Sequence, residues 1–391
     1  MKRSALLFGA LMLGAASAAN AQLSMQMSNG WTFSFAGNVN IFAQYQTTSA
    51  SGNTAGPGVL VGAGKFHDLY YGTGLLPSVL ALAATGKEGN TDLGVHFGLM
   101  PEVQCGANQH DCFGSQFSGA SIDVRQVYMT VGGSWGTITA GRNIGLYQRG
   151  NILNDQTLFG VGGPVGFAPR GTTLGRIGYG YIYPNFEPQF TFSTPGGKST
   201  SLDIGLFEPS DFGPYVVHSI PRLEAEGSYK SGDLGVFVSG ELQNSKNAVT
   251  GGTSKTSYGA AGGVTYKTGT FSVVGSGYYG RGTGTTVMFG GLGDDGTGNL
   301  TKSFGYIGQL TFTPAGSKAT IAGSYGSSFL KASTGSGKTE NTLISGGIYY
   351  QATKSLKTVF EGDYAWSKVT PAGGATKNKS FTGAFGLMLF F

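Results

Sequence analysis

Apolar and polar residues alternate along most of the chain after Trp31. In the segment 31–46, WTFSFAGNVNIFAQYQ, one parity holds mainly Trp, Phe, Val, Ile and Tyr, and the other holds mainly Thr, Ser, Asn and Gln. Segments 271–280, 303–313 and 356–368 show the same period of two. A β-strand turns successive side chains to opposite faces, so this pattern predicts strands with one apolar and one polar face.

Short polar connections alternate with long connections rich in Gly, Ser, Thr and Asn. The long connections are 47–76, 104–120, 143–172, 209–220, 244–256, 281–301, 331–340 and 369–378. No helical period is sustained and no linker divides the chain, which predicts one all-β domain over residues 22–391. The alternating segments number seventeen, whereas a closed antiparallel barrel in one bacterial chain has an even number of strands. We therefore expect 189–193 and 201–207 to form one strand interrupted at Pro195-Gly196-Gly197, which gives sixteen.

The composition favours strands that cross a membrane. Gly accounts for 70 of 391 residues and charged residues for 12%, against usual shares of ~7% and ~25%. After the N-terminal segment, no apolar run approaches the ~18 residues of a spanning helix. In hydrocarbon every backbone polar group must be paired internally, so strands there must close into a barrel. The sequence thus predicts a transmembrane antiparallel β-barrel.

The chain ends in SFTGAFGLMLFF, residues 380–391, with an apolar residue or glycine at every second position counted back from Phe391. This terminal segment is expected to pair with the first strand, because closure removes both sheet edges. Its Phe and Leu strip is then expected to face lipid. Phe390 and Phe391 are expected at the membrane interface, where aromatic girdles lie.

The first 21 residues are predicted to be an export signal. Lys2 and Arg3 precede an apolar core, and Ala19-Asn20-Ala21 is a small-residue cleavage site. The alternative is a retained N-terminal anchor. Since two positive charges lie in this segment, the net charge of +5 gives no argument for a nucleic-acid partner.

Two cysteines, Cys105 and Cys112, lie close together in a long connection. In an exported chain such a pair is expected to form a disulfide. A metal site with His110 and Asp111 is the alternative, although two cysteines and one histidine make a poor ligand set.

Several blocks resemble the Gram-negative general-diffusion porins, the trimeric sixteen-stranded family. These blocks are ALAATGKEGNTDLGVHFGLM (81–100), DVRQVYMTVGGSWGTITAGRN (123–143) and GRIGYGYIYPNF (175–186), similar to the second hairpin, the fourth and fifth strands, and the sixth strand. The terminal Phe391 resembles the family's sorting and assembly signal. The resemblance implies an outer-membrane homotrimer of water-filled channels, assembled by the barrel-assembly machinery and narrowed by an inward-folded third loop. Ions and small hydrophilic solutes would pass by passive diffusion.

The resemblance also implies a pore constriction. Arg125 and Arg176 match wall arginines of the family, Arg142 precedes the constricting loop, and Asp155 is the acid of that loop. A third wall arginine is absent, since Val79 takes its place. Arg176 has the parity of small residues, which fits a lumen position. Arg125 has the parity of apolar residues, so either a β-bulge changes its facing or the third loop covers those residues.

Acidic residues on the polar faces of strands are expected in the lumen. Lipid-facing charge is expensive, and four acids lie opposite apolar residues: Glu224, Glu226, Glu361 and Asp363. Because these acids partly offset the arginines, strong anion selectivity is not predicted.

Catalytic interpretations have little support in the sequence. The four histidines are scattered, no GxSxG motif occurs, and STGSGKTE (333–340) lacks the first glycine of a phosphate loop. We expect neither catalytic residues nor a cofactor or metal. The alternative function is an outer-membrane barrel enzyme of the lipase or protease type. A Gly-rich adhesin or β-solenoid is a third, weaker hypothesis, because no repeat of fixed length is found.

Overall fold

The structure is a computed structural model that describes residues 23–51, 56–103, 122–164, 173–249, 251–288, 292–296, 298–333, 337–370 and 375–391. The predicted signal segment 1–21 and the pair Cys105 and Cys112 lie outside these residues. Both stay predictions. Among the described residues, no helix has the length and apolarity needed to cross a membrane.

The described residues form one large antiparallel sheet with little helix. Its strands are β1 (Leu23–Gln26), β2 (Thr32–Ser51), β3 (Phe66–Gly72), β4 (Val79–Glu88), β5 (Thr91–Pro101), β6 (Ile122–Gly133), β7 (Gly136–Ile144), β8 (Phe186–Ser193), β9 (Thr200–Phe207), β10 (Tyr215–Val217), β11 (Arg222–Ser231), β12 (Leu234–Asn247), β13 (Ser254–Lys267), β14 (Phe271–Arg281), β15 (Lys302–Phe312), β16 (Ala319–Lys331), β17 (Lys338–Gln351), β18 (Leu356–Thr370) and β19 (Thr376–Phe390). A short helix α1 (Arg149–Leu153) and a 3₁₀ helix (Gln156–Phe159) follow β7.

The sheet closes on itself as a sixteen-stranded barrel, which confirms the predicted fold. The last strand, β19, pairs with β2 over the register from Lys377↔Ser51 to Phe390↔Asn38. Three short strands, β1, β3 and β10, add no position to the wall. β3 shares one position with β4, since the two pair with successive parts of β2. β1 continues alongside β2 beyond the end of β19, and β10 lies beside β12. Closure leaves the wall without a free edge, as a membrane-spanning sheet requires.

The terminal strand shows how alternation builds the wall. Phe381, Phe385, Leu387 and Leu389 are 41–50% exposed on the outer face, whereas the intervening residues are buried. The predicted apolar strip is therefore on the outside of the barrel. The expectation for Phe390 is wrong, because this side chain points inward and packs against Phe159 with ring centroids 6.4 Å apart.

The sixteen strands are not assigned as the sequence predicts. Segments 189–193 and 201–207 lie in two separate strands, β8 and β9, which pair antiparallel from Gln189↔Phe207 to Ser193↔Asp203. Pro195-Gly196-Gly197 is thus a turn between neighbours. The segment 175–185 is not a wall strand either, because the sixth wall strand begins at Phe186. Its Tyr and Gly alternation reflects packing inside the barrel, where Tyr179 and Tyr181 are fully buried.

The interrupted strand lies instead between β3 and β4, where residues 73–78 (the wall insert) bend into the barrel. Polar side chains of β2 replace the missing ladder bonds: Asn40 donates to the Leu76 carbonyl at 3.0 Å and accepts from the Gly74 amide at 3.0 Å. Asn38 donates to the Pro77 carbonyl at 3.3 Å. Asn38 and Asn40 therefore pair backbone groups that the bend removes from the sheet.

Candidate functional site: the constricted lumen

Residues 145–185 (the inward loop) run inside the barrel between β7 and β8, and the structure describes 145–164 and 173–185. Tyr147, Val161, Tyr179 and Tyr181 of this loop are completely buried. Burial and the neighbouring Asp155 carboxylate raise the pKa of Tyr181. Its hydroxyl consequently stays protonated and donates to that carboxylate at 2.8 Å. The predicted inward fold of this loop is present, and it extends past the predicted end at residue 172.

Acidic side chains of β11 hold the start of the inward loop. Glu224 accepts hydrogen bonds from the amides of Leu146 and Tyr147 at 2.7 and 2.9 Å. Glu226 accepts from the Gly150 amide at 2.8 Å and from Arg149 Nε at 2.9 Å. Bonds to a charged acceptor are roughly twice as strong as neutral ones. These two acids thus face inward as predicted, but they anchor the loop.

Glu361 on β18 anchors the middle of the same loop. Its Oε1 accepts from the amides of Val161 and Gly162 at 2.8 and 2.6 Å, and its Oε2 accepts from the Tyr349 hydroxyl. Asp363, two residues further, also points inward and is 1% exposed. The four predicted lumen acids consequently lie on the inner face, where three of them hold the loop.

Two further arginines, which the sequence pattern did not indicate as lumen residues, complete this network. Arg149 of α1 contacts Asp203 and Glu226, and Arg222 contacts Glu187 and Glu224. Both guanidinium groups are at most 16% exposed. The i, i+2 spacing of Arg222 with Glu224 places both on one face of β11 and is the signal by which the sequence could have shown this pair.

Arg176 and Asp155 lie on the side of the inward loop that packs against β16 and β17. Arg176 has no exposed surface, and it donates from Nε to the Ser324 hydroxyl at 3.0 Å and from Nη1 to the Leu343 carbonyl at 3.1 Å. Asp155 accepts from the Thr157 amide at 2.9 Å. Because Arg176 belongs to the loop rather than to a wall strand, its expected place on the sixth strand is wrong.

Arg125 lies at a β-bulge in β6. Leu99 of β5 is opposite Val124 and Gly98 is opposite Gln126, so Arg125 has no partner across the pair. The extra residue shifts the alternation by one position. Val127 and Met129 then lie on the outer face, 40% and 54% exposed. Of the two interpretations left open by the sequence, the structure shows the bulge.

A cavity of about 280 Å³ separates the inward loop from the wall formed by β4 to β7, and Arg125, Arg142 and Asp123 border it. Arg125 Nε donates to Asp123 at 2.7 Å, and Nη1 donates to the Tyr183 hydroxyl at 3.2 Å. Arg142 is exposed and has no hydrogen bond or ion pair to any residue that the structure describes. The Gly141 before it has φ +127°, a backbone conformation that glycine adopts without a steric penalty.

A closed barrel with an apolar exterior, a polar inner face and a loop folded across its bore defines a transmembrane channel. Strands of this kind cross the hydrocarbon layer while the inward loop narrows the bore. This geometry identifies the protein as a membrane channel.

A family model for Gram-negative porins matches residues 7–370, so the chain belongs to this family. A search of curated proteins finds no match. Solved structures with the same fold include the outer-membrane channel DcaP of Acinetobacter baumannii, with 16% identity, a TM-score of 0.66, and coverage of 94% of this chain and 99% of that chain. The anion-selective porin from Comamonas acidovorans has 15% identity, a TM-score of 0.62, and coverage of 92% and 100%. The trimer form of OmpT from Vibrio cholerae has 14% identity, a TM-score of 0.53, and coverage of 93% and 100%.

The protein is accordingly an outer-membrane porin, a channel for passive diffusion. The family and the structural neighbours support a channel rather than an enzyme.

Proposed function

We propose that this porin favours anions at its constriction. The charge around the cavity carries this proposal, because the charged residues that border it, among those that the structure describes, are Arg125, Arg142 and one acid, Asp123. Glu224, Glu226 and Glu361 bind backbone amides of the inward loop. Their charge is directed at the loop, which leaves one excess positive charge among the described residues that border the cavity. The anion-selective neighbour from Comamonas acidovorans supports the same preference.

The test is the reversal potential of the purified protein in a planar bilayer under a KCl gradient. One unit charge about 6 Å from an ion is worth ~0.7 kcal/mol in a water-like dielectric and about half of that after screening by the salt. Because the charge attracts Cl⁻ and repels K⁺ by this smaller amount, Cl⁻ should permeate about threefold better than K⁺. Stepwise conductance establishes that the pore has formed in the same record. A permeability ratio at or below one would reject the anion preference.

We infer a homotrimer in the outer membrane. Support comes from the trimer form of the Vibrio cholerae neighbour and from the outer face of the barrel, which exposes many Phe, Tyr, Leu, Ile and Val side chains. Native mass spectrometry in mild detergent should give three times the mass of the processed chain. A single-chain mass under conditions that preserve conductance would contradict this assembly.

We also propose that residues 1–21 are removed on export and that the C-terminal strand is the signal read by the barrel-assembly machinery. The Phe391 carbonyl accepts from the Gly37 amide at 2.8 Å, and its ring lies 5.2 Å from that of Phe35. The last residue thus joins the two strands that close the barrel. Deletion of Phe391 should lower the amount of folded protein in the outer membrane, and an unchanged amount would refute the role of the C-terminal strand.

N-terminal sequencing of the mature protein should begin at Gln22, and a sequence that begins at Met1 would refute removal of residues 1–21.

A further inference from the structure

Apart from the two arginines and Asp123, most of the residues that border the cavity are apolar, which is unusual for the bore of a diffusion channel. Six aliphatic side chains from the wall insert, the inward loop and the connection after β14 border it: Leu75, Leu76, Ile152, Leu158, Ile177 and Val287. A hydrated ion gains nothing from such a surface. A solute that has an apolar part can bury it there.

Backbone hydrogen bonds hold this apolar surface in place. The amide of Leu75 donates to the Gly160 carbonyl at 3.0 Å, and the amide of Leu76 donates to the Leu158 carbonyl at 3.3 Å. The wall insert and the inward loop are thereby joined beside the cavity. A fixed surface binds more tightly than a mobile one, because less ordering is required when the ligand arrives.

The charges bordering the cavity select the other half of the solute. Arg125 already has a carboxylate partner in Asp123 at 2.7 Å, whereas the side chain of Arg142 makes no hydrogen bond or ion pair with the described residues. A planar guanidinium binds a carboxylate through two parallel hydrogen bonds. A second carboxylate on the solute would have to lie against the leucines and lose its hydration, which is unfavourable.

We propose that the cavity is a binding site for small monocarboxylates that carry an apolar body. The carboxylate pairs with Arg142, and the hydrocarbon part lies against the surface formed by Leu76, Leu158 and Val287. Binding holds these solutes in the bore for longer than inorganic anions or acetate. Their concentration in the bore is therefore raised relative to those anions. This inference rests on the proposed anion preference and adds the class of solute.

The probes are hexanoate, acetate and hexylammonium, added separately to single channels in symmetrical KCl. Hexanoate should reduce the current at concentrations on the order of tenfold lower than acetate, the gain from burying about two methylene groups. Hexylammonium has the same tail and the opposite charge, and it should not reduce the current in that range. Equal effects of hexanoate and acetate would overturn the proposal, as would equal effects of hexanoate and hexylammonium.

Variants of the apolar surface locate the site. Val287→Asn changes a side chain that is 39% exposed, so folding should be preserved, and Leu76→Asn changes the wall insert. Both should raise the hexanoate concentration needed for block several-fold and leave the KCl reversal potential unchanged. Leu60→Asn is the matched control, since Leu60 is a buried leucine in another cluster that does not border the cavity. Equal sensitivity to hexanoate in the wild type and all three variants would place the block elsewhere and refute the site.

The experiments distinguish failure of the anion preference from failure of the binding site. A wild-type channel with no preference for Cl⁻ over K⁺ would remove the anion preference and with it this inference. A channel that prefers Cl⁻ and does not distinguish hexanoate from acetate would remove only the binding site.

Discussion

The two sides of the inward loop carry the same kinds of charged residue in opposite roles. On the cavity side, toward β4 to β7, the side chain of Arg142 is exposed and makes no hydrogen bond or ion pair with the described residues. On the anchored side, toward β16 to β18, Arg176 is fully buried with its donors on Ser324 and Leu343, and Glu361 holds two loop amides. Under the proposed function, this difference predicts that the occupancy of donors and acceptors, rather than the sign of the charge, decides whether a lumen residue acts on a passing ion.

This division has an electrostatic basis. A charge that is in contact with the aqueous path acts on ions over the Debye length, about 8–10 Å at moderate salt. A charge buried under backbone donors is balanced locally, and its removal is felt first by the structure it holds. Predictions for the two sides therefore differ in the property that changes.

The largest expected effect is loosening of the loop by Glu361→Ala on the anchored side. Two charge-assisted hydrogen bonds to the Val161 and Gly162 amides are lost, worth about 3 kcal/mol together. Hydrogen exchange at these amides should accelerate roughly 100-fold. Glu340→Ala on the adjacent β17 is the control, because its ion pair with Lys338 spans 3.9 Å and holds no loop amide. Equal protection in the two variants would contradict the anchoring role.

A smaller effect is expected from charge reversal on the cavity side. Arg142→Glu changes the excess charge beside the cavity by two units, which should shift the ratio of Cl⁻ to K⁺ permeability by about tenfold toward K⁺. The reversal potential in a KCl gradient measures this shift. If the potential of the variant equals that of the wild type, Arg142 does not border the ion path.

The smallest expected effect on the permeability ratio comes from neutralising single aspartates, one on the cavity side and one on the anchored side. Asp123→Asn removes the one carboxylate among the described residues that border the cavity, and it should raise the Cl⁻ preference about threefold. Asp363→Asn removes an acid that is 1% exposed and does not border the cavity. The ratio of Cl⁻ to K⁺ permeability in this variant should therefore stay within about 1.5-fold of the wild-type ratio. A larger change from Asp363→Asn than from Asp123→Asn would reverse the assignment of the two sides.

The barrel and its closure were predictable, since both follow from the local alternation of side chains. The terminal strip of Phe381, Phe385 and Leu387 needs only the period of two and the requirement that edges be paired. The sixteen-strand total was right for a related reason, because an even number is imposed by closure.

The individual assignments near the loop depended on contacts between distant residues. The bend at 73–78 is stabilised by Asn38 and Asn40 of another strand, and nothing in the local pattern shows it. Segment 175–185 alternates as a strand does, because Tyr179 and Tyr181 pack into the lumen. A pattern of period two does not distinguish a wall strand from an extended segment inside the barrel.

The sequence indicates which residues face the lumen more readily than it indicates what they contact. A single extra residue in β6 turns Arg125 inward against its parity, and a bulge has no firm local signature. Glu224 and Glu361 face the lumen as their parity indicates. Their partners are amides of a loop up to 200 residues away, which only the folded chain brings together.

Cysteine labelling tests the division between the two sides most directly. In a chain carrying Cys105→Ser and Cys112→Ser, Arg142→Cys places a thiol beside the cavity and Ser345→Cys places one next to Asp363 on the anchored side. A negatively charged methanethiosulfonate should react with the first and lower the single-channel conductance, and it should leave the second unmodified. Equal reaction at both positions, or no reaction at position 142, would contradict the account.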